Sequence, residues 1–78
     1  MRVTLNRQKN IAYFRLTEYN DADVARLYSL VKHDVEGEFT FEFDKKGRLL
    51  GFEVKFASQG LPQNLLAEAE PTRFANPS

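Results

Sequence analysis

Residues Glu38 to Phe56 read EFTFEFDKKGRLLGFEVKF, two alternating arms around a polar break. In the first arm Phe39, Phe41 and Phe43 alternate with Glu38, Thr40, Glu42 and Asp44, the period of two of a half-buried strand. In the second, Leu50, Phe52, Val54 and Phe56 alternate with Gly51, Glu53 and Lys55. The break, Asp44-Lys45-Lys46-Gly47, is turn chemistry: Asp44 bonds the backbone ahead of it and Gly47 takes the left-handed conformation. Matching the oily faces decides the loop. A three-residue loop sets Asp44 against Arg48 and leaves Phe41 and Phe39 facing Gly51 and Glu53. A four-residue loop, Asp44 to Gly47, sets Phe43 against Arg48, Phe41 against Leu50 and Phe39 against Phe52. A one-residue slip turns a whole strand over, so register follows the apolar pattern and the four-residue loop is expected. The core then comprises Phe39, Phe41, Leu50, Phe52, Val54 and Phe56.

A chain of 78 residues makes one domain, and at this size folding buries only roughly 60% of the unfolded surface. The sequence has no cysteine, so neither a disulfide, a thiolate zinc site nor a thiol nucleophile is available. Seven Phe and three Tyr must supply the core, unless a second copy of the chain helps. No apolar run approaches the roughly 20 residues of a membrane span. The opening MRVTLNRQKN lacks the apolar middle of a signal peptide, so a cytoplasmic protein with no membrane partner is expected. Eleven basic and eleven acidic residues are interspersed, which argues against a grip on nucleic acid. The small clusters Arg2/Arg7/Lys9 and Lys45/Lys46/Arg48 are the only basic groupings.

Upstream of the hairpin, Arg2 to Leu5 alternates as a short strand and Asn6 to Asn10 is a polar break. Ile11 to Thr17 is a stronger strand with Ala12, Phe14 and Leu16 on one face and Ile11, Tyr13 and Arg15 on the other. Apolar residues on both faces place it in the middle of a sheet, its second face partly covered. Glu18 to Asp23 is a loop. From Val24 to Val35 the apolar residues Val24, Leu27, Tyr28 and Val31 fall at helical spacing, with Asn20 or Asp21 as cap, so the local pattern favours a helix over a strand. Downstream, Ala57 to Gly60 breaks the strand. Leu61 to Ala69 is a short helix with Pro62 in its first turn and a stripe of Leu61, Leu65, Leu66 and Ala69. Two turns do not persist alone in water, so this helix must dock on the Phe face. Pro71 ends it and residues 71–78 form a loose tail, leaving 1–70 as the domain.

The run Asp44-Lys45-Lys46-Gly47-Arg48-Leu49-Leu50-Gly51-Phe52-Glu53-Val54, followed by Ala57-Ser58 and Leu61-Pro62, resembles the end of the small bacterial domain-of-unknown-function family 2283. Ala12 to Leu16 and Met1 to Leu5 are similar to that family's opening strands, so the match runs from residue 1 to about residue 66. The resemblance implies an antiparallel β-meander of about five strands with a short C-terminal helix on one face, in which Val24 to Lys32 is a third strand. It implies no established activity. Some relatives sit beside small toxin-like proteins, which implies an antitoxin-like partner role. The family carries Tyr-Asp where this chain has Leu5-Asn6, and acids where it has Asn10 and Phe56, so no metal or acid/base role built on those acids transfers.

Candidate chemistry is sparse. His33-Asp34 is a single pair, whereas a metal site needs three or four ligands and a general base needs a positioned partner. Glu38 is expected to approach Glu53 across the hairpin, but paired carboxylates do acid/base work only in a pocket that separates their pKa values. Gly47 and Gly51 lack the context of a phosphate loop; Gly47 is a turn residue and Gly51 marks a bulge or a close backbone contact. The expected function is non-catalytic association with protein, as a homodimer or with a small partner, with no cofactor or metal. The candidate interface is Tyr13, Tyr28, Phe39, Phe41 and Phe56, and Asp44 and Gly47 are structural turn residues. The alternatives are a small-molecule or metal module at His33, Asp34 and nearby Glu residues and, last, nucleic-acid binding through Arg2, Arg7, Lys45, Lys46 and Arg48.

Overall fold

A computed structural model describes residues 1–71. Its strands are β1 (Arg2–Asn6), β2 (Ile11–Arg15), β3 (Arg26–Leu30), β4 (Glu38–Phe43), β5 (Leu49–Lys55) and β6 (Glu70–Pro71). Two short helices, α1 (Ala57–Gly60) and α2 (Gln63–Glu68), lie between β5 and β6, and one 3-10 turn, Asp21–Asp23, precedes β3. The strands form one open sheet in the order β3-β4-β5-β2-β1-β6. All neighbours are antiparallel except β1 and β6.

The protein is mainly β with a short helical segment, as expected, and β2 is an interior strand. The connectivity is more than a simple meander: β3, β4 and β5 follow one another, but the chain leaves β2, crosses to the far edge and returns so that β5 pairs with β2. Three hairpin-linked strands with a fourth beside the first is a Greek key read in reverse. Val24 to Val35 contains the strand the resemblance implies, not the helix the spacing favoured. Asn20 does cap the 3-10 turn: its side chain accepts from Ala22 N–H, while the Asp23 carboxylate accepts from Asn20 N–H.

Register departs from expectation at one point. Asp44 donates its N–H to the Arg48 carbonyl at 2.9 Å, so the loop is the three-residue one, Lys45 to Gly47. A bulge between Glu42 and Phe43 then shifts the pairing, from Phe43 with Leu49 to Glu42 with Gly51. The extra residue sets Phe41 opposite Phe52 and Phe39 opposite Val54, and so satisfies the oily faces with the shorter loop.

The apolar face carries Val3 and Leu5, Ala12 and Phe14, Phe52 and Val54, and Phe39 and Phe41, in register across β1, β2, β5 and β4. α1 and α2 cover one part of it. Leu5, Ala12, Phe14, Val54, Ala57 and Leu66 form the buried cluster, with Leu61, Leu65 and Ala69 packed at its margin, so the leucine stripe docks as its spacing required. Leu50 and Val54 are buried, whereas Phe39, Phe41 and Phe52 are half-buried. Phe56 is not core: it leaves the strand in the left-handed conformation, φ 58°, and is 52% exposed. Pro62 stands just before α2, not inside it. Glu70 and Pro71 pair with Thr4 and Leu5 instead of opening a tail, and residues 72–78 of the expected tail lie outside the described residues. No described helix is long and apolar enough to cross a membrane.

Candidate functional site

Phe14, Phe52, Phe41 and Tyr28 face one another in register across four strands. Phe14 and Phe52 stack with ring centroids 4.5 Å apart, and Phe52 meets Phe41 at 5.5 Å. Phe43 closes on Tyr28 edge to face at 5.7 Å. Such contacts add about 0.5–1.5 kcal/mol each beyond their burial. The helical layer protects only the β2 end of this row: Phe14 is buried, Phe52 and Phe41 are half-buried and Tyr28 is 59% exposed. The molecule measures 34 × 33 × 20 Å.

The two edges of the sheet differ. At one, β6 is two residues long, contains Pro71, and is tied to β1 by an ion pair between Arg2 and Glu70 at 3.4 Å. Shortness, proline and charge blunt an edge against further pairing. At the other, all five residues of β3 are exposed. Leu27 is 60% and Val31, just beyond the strand, 63% exposed, and Leu30 lies at the margin of exposure. β3 carries a single charge, Arg26, and no proline. A free strand with apolar residues on both faces is a template for another strand.

Of the expected interface residues, Tyr28, Phe39 and Phe41 come together here. Tyr13 and Phe56 do not join them. Tyr13 lies on the opposite face, between Thr4 and Glu53 in register; burial, then the Glu53 charge, raises its phenol above the ordinary value. Phe56 lies beyond the end of β5.

The opposite face holds a polar cluster that the sequence did not reveal. Tyr19, in the loop after β2, donates its hydroxyl to the Glu42 carboxylate at 2.5 Å. Arg15 donates to the Tyr19 carbonyl and sets its guanidinium 4.2 Å from the centre of the Tyr19 ring. Burial, followed by the hydrogen bond to Glu42, pushes the Tyr19 phenol well above its ordinary value. The signal for this cluster was Gly51, whose lack of a side chain leaves room for the Tyr19 hydroxyl and the Phe14 carbonyl. Every polar group named here has a partner within it, so it works as a latch on the loop.

The other candidates are dispersed. The observed register sets Glu38 opposite Lys55 and Glu53 opposite Thr40, so the expected carboxylate pair does not form. His33 and Asp34 sit in the exposed turn between β3 and β4, and the described residues hold no group of three or more His, Asp or Glu placed for a metal ion. Arg7 lies in the β1–β2 turn at one end of the sheet, while Lys45, Lys46 and Arg48 lie in the β4–β5 turn at the other. Asp44 and Gly47 form that turn as expected: Asp44 Oδ1 accepts from the N–H of Lys46 and of Arg48, Oδ2 accepts from the Arg48 guanidinium, each at 2.9 Å, and Gly47 has φ 82°.

No protein-family model, curated protein or solved structure matches the chain.

Proposed function

We propose that the chain is a non-catalytic association domain, which works by binding protein through the β3 edge and the adjoining aromatic surface of β4, with a second copy of itself as the first partner. A single observation carries this reading. Of five long strands, one is exposed along its whole length, stands at an unguarded edge and is apolar on both faces. Phe39 packs against the buried cluster, but the half-buried Phe41 and Phe43 beside β3 are not part of that packing and lack the second layer that a sheet needs to shelter its apolar face. Symmetric dimers are the commonest soluble assemblies and require no further gene product.

Sedimentation velocity of the purified chain over the micromolar range tests the reading. The expected result is a concentration-dependent shift from the 9.0 kDa monomer to twice that mass. A single monomeric boundary at every concentration overturns self-association.

A further inference from the structure

The open strand is complementary to itself. Laid antiparallel against a second copy with full overlap, β3 pairs about its midpoint, Tyr28. Tyr28 then meets Tyr28 of the second copy, Leu27 meets Ser29, and Arg26 meets Leu30. The flanks agree with this arrangement. Asp21 and Asp23 precede the strand, and Lys32, His33 and Asp34 follow it after Val31, all five exposed. In this register Lys32 of each copy falls opposite Val24 of the other, one position from Asp23, while Asp34 falls opposite Ala22 and offsets part of the attraction, an arrangement repeated on both sides of the axis by symmetry. A slip of two residues that centres the pair on Ser29 sets Arg26 against Lys32 of the second copy, like charge against like, and opposed like charges disfavour a strand pairing. The opposite edge offers no equivalent, since β6 is two residues long and holds a proline.

From this self-complementarity we infer that two copies join edge to edge through antiparallel β3 strands about a two-fold axis at Tyr28, making one continuous sheet. The inference rests on the association reading above and gives it a surface, a register and a symmetry. Main-chain hydrogen bonds along β3 supply the common affinity of strand addition, and Leu27, Tyr28 and Leu30 with the charged flanks select the partner. The aromatic rows of the two sheets then meet at the axis, and Tyr28, the most open of the rings in the row, becomes the most enclosed.

The chain has no cysteine, so a single introduced thiol reports geometry without background. Tyr28→Cys places two thiols across the axis, and Gln59→Cys, on the exposed surface of α1, serves as the control. Under mild oxidation the expected result is an intermolecular disulfide in most of the Tyr28→Cys protein and little in the control. A charge exchange gives a second reading that keeps the strand intact. Lys32→Glu and Asp21→Lys each weaken the dimer, by about fivefold for two symmetry-related exposed contacts, and the double variant recovers most of the loss. Asp21 is chosen because the cap formed by Asn20 and Asp23 then survives. If the chain sediments as a dimer but Tyr28→Cys cross-links no better than Gln59→Cys, the edge geometry is overturned while association stands. If the charge losses add in the double variant, the approach of Lys32 to the acidic entrance of the second copy is overturned. If the chain is monomeric throughout, both readings fall.

Discussion

Tyr19 lies over Gly51: its hydroxyl oxygen is 2.5 Å from the point where a β-carbon on Gly51 would stand, and the Phe14 carbonyl oxygen crowds the same point. The glycine thus leaves room for the Tyr19 hydroxyl over the strand and lets β2 approach β5 closely. Gly51→Ala must displace either the ring or the strand, and an overfilled site of this kind costs about 1–3 kcal/mol. Urea unfolding is expected to show a loss near the upper end of that range, because one obstacle is backbone. Unchanged stability would mean that Tyr19 is not seated on the strand in solution.

The same ring governs behaviour in alkali. Burial and the Glu42 carboxylate raise the Tyr19 phenol above its ordinary value of 10.0 in the folded chain. Its contribution to stability is complete below that value. As pH rises further the unfolded chain ionises first, and stability falls toward the folded pKa. Tyr13 is shifted in the same direction. Tyr19→Phe is expected to cost about 1 kcal/mol at neutral pH for the lost hydrogen bond, and to flatten the alkaline loss without abolishing it. Thermal melts from neutral pH upward, compared between the two proteins, measure both effects.

At the acid end the reporter is Asp44. The backbone N–H of Arg48, then the Arg48 guanidinium and the Lys46 N–H, hold its carboxyl below the ordinary value of 3.8. A depressed carboxyl stabilises the fold above its unfolded pKa and loses that contribution as pH falls through the folded value. Asp44→Asn keeps an acceptor for the turn but removes the charge. It is therefore expected to lower stability at neutral pH and to reduce the loss below pH 3.8. Urea midpoints on either side of that value would show it, and parallel acid limbs would contradict it.

Most of the sheet was legible because its strands have one wet and one oily face, and alternation records that directly. Phe39, Phe41, Phe52 and Val54 all lie on the apolar face that their spacing predicts. The hairpin register was not legible, because a bulge inserts its extra residue without altering alternation on either side of it. β3 was obscured for another reason: an edge strand exposed on both faces has no need to alternate, and Val24, Leu27, Tyr28 and Val31 then fall by chance at helical spacing. The surface proposed to function is thus the part where periodicity was weakest, and its open exposure appears only once the neighbouring strands are in place.

Phe56 separates the folded core from the association surface. It extends the alternation of β5 by one inward position, yet it adopts φ 58° and exposes half its surface as the chain turns into α1. A left-handed conformation costs a bulky L-residue about 1–2 kcal/mol, and asparagine tolerates it better. A core phenylalanine cut to a small polar residue would lose several times the gain available here, roughly 3–5 kcal/mol for truncation in a packed interior. The two accounts therefore predict opposite signs. Phe56→Asn is expected to stabilise the monomer by up to about 1 kcal/mol and to leave self-association unchanged, because Phe56 lies beyond the end of β5 and away from β3. Urea unfolding at low concentration reads the first effect and sedimentation the second. Destabilisation would return Phe56 to the core, and weakened association would move the contact surface from β3 toward α1.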